Sequence, residues 1–149
     1  MRVLAIAYIP AVFSTQSIPS KRFPVEDMNQ ILVIDDHSEI LSVTGRILER
    51  AGYQVFRASG GNEGIDIFRQ ESVALVITDL KMPHKDGLAV IKELREVDPH
   101  ARIIAITGYE TEALDQAREL GAGNCFTKPL HMAKLIGAVE EMLDESKIT

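Results

Sequence analysis

The chain has a single cysteine, Cys125, so no intrachain disulfide can form. That usage fits a reducing compartment, and a cytoplasmic location is the expectation. Its four histidines, at positions 37, 84, 100 and 131, fall at no metal-ligand spacing and argue against a zinc site. Nor is there a basic cluster. The net charge is −6, which argues against direct action on nucleic acid, where a basic stripe is needed. No apolar run is long enough to cross a bilayer, so no membrane association is expected; the one at residues 1–13 is short and interrupted by Pro10. Internal repeats and low-complexity tracts are missing too. What is there is 149 residues, 46% apolar and 26% charged, the composition of an ordinary soluble globular protein with one domain's worth of chain.

Residues 1–27 differ from the rest: an apolar stretch with one Arg, then a Ser- and Pro-rich stretch carrying Lys21-Arg22. A signal peptide is disfavoured by Pro10 and by the lack of a small-x-small cleavage site. The expectation is an extension, either disordered or lying before a native start at Met28, followed by one domain over 28–149. That domain carries 13 Lys and Arg against 20 Asp and Glu. Only five residues follow Asp144, so no output domain is expected after it.

From Met28 the hydrophobic pattern alternates. Apolar runs of strand length occupy residues 31–35, 54–58, 73–78, 102–107 and 124–127. Between and after them come helical periodicities: Ile40, Val43/Thr44, Ile47/Leu48 and Ala51; Ile65 and Phe68; Leu88, Ile91 and Leu94; Ala113, Leu114, Ala117 and Leu120; Leu135/Ile136, Val139 and Leu143. Gly52 and Gly121 stand where helices stop. Five strands alternating with five helices predict an α/β fold with a parallel sheet covered on both faces.

Four chemically distinctive positions close four of the apolar runs: Asp35-Asp36, Asp79, Thr107 and Lys128-Pro129. If the runs are parallel strands, these converge on one sheet edge, outside the carboxyl ends, where open α/β sheets bind ligands. Three carboxylates together repel one another and call for a cation. Oxygen-only ligands point to Mg²⁺ or Mn²⁺. A carboxylate there is also a competent nucleophile towards phosphorus. Taken singly, each residue has a plainer role: Asp35 or Asp36 capping a helix near Ser38, Asp79 capping the next loop, Lys128 a solvated charge, Thr107 an ordinary strand residue.

The stretches Ile31-Leu-Val-Ile-Asp-Asp-His37 and Val76-Ile-Thr-Asp-Leu-Lys-Met-Pro-His-Lys-Asp-Gly87, with Thr107-Gly108 and Lys128-Pro129, resemble the receiver domain of two-component response regulators over residues 30–145. The resemblance implies the flavodoxin-like strand order 2-1-3-4-5. It implies Asp79 as phosphoacceptor, with Asp36 and Asp79 as direct metal ligands, Asp35 at least through water, and the backbone carbonyl of Lys81 completing the set. Lys128, before a cis peptide bond, would bind a phosphoryl oxygen as a point charge, and Thr107 would donate its hydroxyl to another. Implied partners are a histidine kinase or histidine phosphotransfer protein, with output through an effector or a homodimer on the last two helices and fifth strand. Lys81 and Tyr109 would flank the path of attacking water and slow loss of the phosphoryl group.

The chain departs from the family pattern at Cys125, where an aromatic switch residue is usual. Alternation puts Cys125 and Thr127 on one face of the strand and Phe126 on the other, facing the core. Either Tyr109 takes part of the aromatic's role or the 107–110 loop alone carries the readout. Cys125 reads as a small strand residue rather than a redox group, since nothing nearby lowers its pKa. Two rival functions are disfavoured. A haloacid-dehalogenase-type phosphatase needs a second Asp two residues past the nucleophile, where this chain has Lys81. A flavodoxin-like cofactor binder needs a Gly/Ser/Thr-rich loop after the first strand, where this chain has two aspartates. A phosphorylation-independent docking module is the remaining alternative.

Overall fold

The computed structural model describes residues 29–108 and 111–144. The proposed extension at 1–27 and Tyr109 lie outside them. The strands are β1 (Gln30–Ile34), β2 (Gln54–Ala58), β3 (Leu75–Asp79), β4 (Ile103–Thr107) and β5 (Asn124–Thr127). The helices are α1 (Ser38–Arg50), α2 (Gly61–Gln70), α3 (Gly87–Val97), α4 (Thr111–Glu119) and α5 (Met132–Met142). All strand pairs are parallel, in the order β2-β1-β3-β4-β5, as expected.

The sheet separates two apolar cores. Leu32, Ile34, Val76, Ile103 and Ala105 face Ile65 and Phe68 of α2, Val90, Ile91 and Leu94 of α3, and Leu114 and Ala117 of α4. Ile31, Val33, Leu75, Ile77, Ile104 and Ile106 face Leu41 and Leu48 of α1 and Leu135 and Val139 of α5. Every residue of β3 and β4 is buried, which is why those runs carry no polar alternation. Gly52 and Gly121 end their helices at φ 104° and 109°.

Two expectations need correction. On α1 the buried residues are Leu41, Thr44, Gly45 and Leu48, whereas Ile40 and Val43 are exposed at 36% and 45%. The helix carries two adjacent apolar stripes, and only one can meet the sheet. On β5, Phe126 faces the α1/α5 core as expected, but Cys125 is not outside a core: it packs on the α2–α4 side, with its thiol 3.9 Å from the Leu114 carbonyl. A sheet covered on both faces has no single core side.

Candidate functional site

Parallel pairing brings the strand ends together. Asp79, last in β3, pairs with Ile106 beside Thr107, and Thr107 pairs with Thr127 beside Lys128. Asp35 directly follows β1, the other neighbour of β3. Asp35, Asp79 and Thr107 are buried. The loop from Asp79 returns so closely that Gly87 is obligatory: a Cβ there would stand 2.3 Å from the Asp79 carbonyl oxygen and 2.6 Å from Leu80 Cα. Asp86 caps α3 by accepting from the Ala89 amide at 2.9 Å, which anchors the same loop.

Lys128 Nζ lies 3.1 Å from Asp79 Oδ2 and 3.9 Å from Asp35 Oδ2. Asp79 Oδ1 accepts from the Lys81 amide at 3.3 Å, and Asp35 Oδ1 accepts from the His37 amide at 2.9 Å. Asp35 therefore ties the turn into α1, while the N-cap itself is His37, with no side-chain cap bond; neither aspartate caps the helix. The Lys128–Pro129 bond is cis. Burial pushes the Asp35 carboxyl above the usual carboxylate range; the His37 amide opposes that, the nearby Asp79 charge adds to it, and Lys128 opposes it.

Asp35, Asp36, Asp79 and His37 each bring one ligand atom into a group spanning no more than 4.8 Å. Asp36 Oδ1 is buried without a hydrogen-bond partner, as is Thr107 Oγ1. A buried carboxylate oxygen left unmatched, beside two further carboxylates, fits a small hard cation. The approach of His37, with Nδ1 3.3 Å from Asp35 Oδ1 and 3.5 Å from Asp36 Oδ1, is not readable from the sequence, where it stands as one residue entering a helix. Lys81 is exposed at the rim of the site. Cys125 is half-buried, and burial pushes its thiol up rather than activating it.

Beside this cluster opens a cavity of about 390 Å³ between α1 and the β5–α5 connection. Ile40, Val43, Pro129, Leu130 and Met132 line its wall, and Asp79 and Lys128 reach its lining too. No helix among the described residues is long and apolar enough to cross a membrane.

Comparison with known proteins matches this architecture. The model of the response regulator receiver domain fits residues 31–140. The chain is 34% identical to sporulation initiation phosphotransferase F of Bacillus subtilis, over 78% of this chain and 95% of that protein. It is 30% identical to the response regulator receiver protein CpdR of Brucella abortus, over 78% and 98%. A crystal structure of a receiver domain protein from Clostridium thermocellum superposes with a TM-score of 0.76 at 34% identity, covering 80% of this chain and 97% of that one. One from Burkholderia pseudomallei, with a phosphorylated aspartic acid, calcium ion and citrate, superposes at 0.70 with 30% identity, covering 80% and 71%. With the fold, the strand-end acids and these relatives in agreement, the chain belongs to the response regulator receiver domain family, a family of signalling modules.

Proposed function

We propose that this chain is a cytoplasmic phosphoacceptor that takes a phosphoryl group on Asp79 and signals through a protein partner. The observation that carries the reading is the ammonium of Lys128, 3.1 Å from Asp79 Oδ2 although 49 residues away in sequence, with two further aspartates alongside. A carboxylate oxygen of Asp79 attacks phosphorus; the new O–P bond forms as the bond to the donor breaks, and the donor nitrogen or oxygen leaves with the electron pair. Lys128 holds one phosphoryl oxygen by charge, and the Thr107 hydroxyl, without a partner before the reaction, donates to another. Asp36, Asp79 and the Lys81 carbonyl, with Asp35 at least through water, would hold Mg²⁺ (or Mn²⁺), and the ion would supply positive charge to offset three carboxylates and the incoming phosphoryl group. The Burkholderia neighbour, with its phosphorylated aspartic acid and calcium ion, supports the same chemistry.

The donor is a histidine kinase or histidine phosphotransfer protein. Because Asp79 opens towards the apolar wall of Ile40, Val43 and Met132, a protein donor reaching it bears on that wall. Output goes to an effector or a second copy over α4, β5 and α5. The population-shift logic is that phosphorylation biases two pre-existing states.

Intact mass after incubation with Mg²⁺ and acetyl phosphate tests the reading. One phosphoryl adduct is expected on the natural sequence and none on Asp79→Asn or without divalent metal. A folded protein that takes no adduct from acetyl phosphate or from a phosphorylated histidine protein would make the chain a phosphorylation-independent docking module.

A further inference from the structure

Nothing in the phosphoacceptor reading uses the side chain of His37, yet it is built into the acidic cluster. Its Nδ1 lies 3.3 Å from Asp35 Oδ1 and 3.5 Å from Asp36 Oδ1. At the ~2.1 Å bonds of a six-coordinate ion, neighbouring ligand atoms stand about 3.0 Å apart and opposite ones about 4.2 Å apart. The two His37 separations are close to that shorter edge; the group of four lies within 4.8 Å, a limit above the opposite-ligand distance, so a bound ion would draw its atoms inwards. The ring's Nδ1 is hydrogen-bonded within the cluster, to Asp35 Oδ1, and as the N-cap residue His37 makes no side-chain cap bond to α1. Nor does it satisfy Asp36, whose Oδ1 has no hydrogen-bond partner despite the nitrogen nearby. Lys128 lies against the Oδ2 atoms of Asp35 and Asp79, so the ammonium and the imidazole approach Asp35 through different oxygens.

We propose that His37 is a specificity-determining ligand of this site: through Nδ1 it recruits a borderline transition ion of the Co²⁺ or Ni²⁺ class in preference to Mg²⁺. The inference rests on the reading of Asp35, Asp36 and Asp79 as a cation site. Imidazole nitrogen adds affinity for ions late in the first transition row and little for Mg²⁺, which prefers oxygen. With three carboxylates and one nitrogen, the site differs in kind from an all-oxygen one. The exposure of the ring, at 61%, leaves it able to turn the short distance to the ion.

The test is calorimetric titration of tag-free protein with MgCl₂ and with CoCl₂, for the natural sequence, His37→Ala, His37→Gln and Asp36→Asn. His37→Ala and His37→Gln are expected to weaken Co²⁺ binding about tenfold or more while moving Mg²⁺ less than about threefold. Proton NMR of the Co²⁺ form should show a shifted, exchangeable imidazole N–H that vanishes in His37→Ala. Equal effects on the two ions, or an imidazole signal that survives the substitution, overturn the proposal. If Mg²⁺ binds and Asp36→Asn weakens it while Co²⁺ ignores His37, this inference falls and the cation site stands. If the natural protein binds neither ion, both fall together.

Discussion

Two sets of residues in the sheet-edge site are finished to different degrees. In one set everything is tied: both oxygens of Asp79 are engaged, by Lys128 and by the Lys81 amide, and Asp35 holds the turn into α1. Flanking Asp79 on either hand, Asp36 Oδ1 after β1 and Thr107 Oγ1 at the end of β4 are buried with no hydrogen-bond partner. Burying a polar atom unmatched costs about 1–3 kcal/mol, so such atoms are uncommon in a settled interior. The contrast teaches where the protein is ready and where it waits. The proposed reacting carboxylate is fixed in place beforehand, and the groups that would meet a cation or a phosphoryl oxygen are held without partners until that ligand arrives. Preorganisation in one set and unspent bonding capacity in the other are what a site needs if binding is to change its energy.

The strongest way to break the contrast is to remove the tie. Lys128→Ala takes the ammonium from Asp79 and is expected to slow adduct formation from acetyl phosphate about a hundredfold or more, read by intact mass against time. Lys128 is partly exposed, so the fold survives the change and circular dichroism should be unaltered. Next in size, Thr107→Val replaces the unpartnered hydroxyl with a methyl of the same shape. It should raise the melting temperature of the unphosphorylated protein, by up to about 1–3 kcal/mol of stability, while reducing the extra stability gained on phosphorylation. A fall in the unphosphorylated melting temperature would mean that the hydroxyl already has a partner.

The smallest effect concerns Asp35, whose carboxyl is pushed up chiefly by burial. A folded-state pKa above the unfolded one means that the native state holds its proton longer. The corresponding stability is present below the ordinary carboxylate pKa and lost as pH rises through the raised value. Asp35→Asn, which keeps an oxygen for the His37 amide, should therefore melt higher than the natural protein in metal-free buffer near neutral pH. The difference should shrink in acid, and added Mg²⁺ should stabilise the variant less than the natural protein.

Much of this was legible in the sequence, for reasons that differ by residue. Strands β3 and β4 announce themselves because both faces are buried, and a run such as Ile103–Ile106 has no other economical home. Asp35, Asp79, Thr107 and Lys128 could be grouped because each ends or directly follows a strand, and parallel strands carry their ends to one edge. Periodicity failed on α1, where Ile40 and Val43 compete with Leu41 and Thr44 for the inward direction and only packing decides. It was also silent on His37, whose ring position depends on the turn after β1, and on Gly87, whose need arises from the Asp79 carbonyl oxygen a chain reversal away. Close approaches of that kind are written in three dimensions only.

The Lys128 amide donates to the Thr107 carbonyl at 2.8 Å, so one backbone hydrogen bond joins the two residues proposed to hold the phosphoryl group. The rung extends the ladder between β4 and β5 beyond their last paired residues, Thr107 and Thr127. Whatever draws either side chain inwards pulls on this rung first. A single amide resonance, that of Lys128, thus becomes a gauge of the site's occupancy, sensitive to events at Asp79 without a label, a partner or an assay of output.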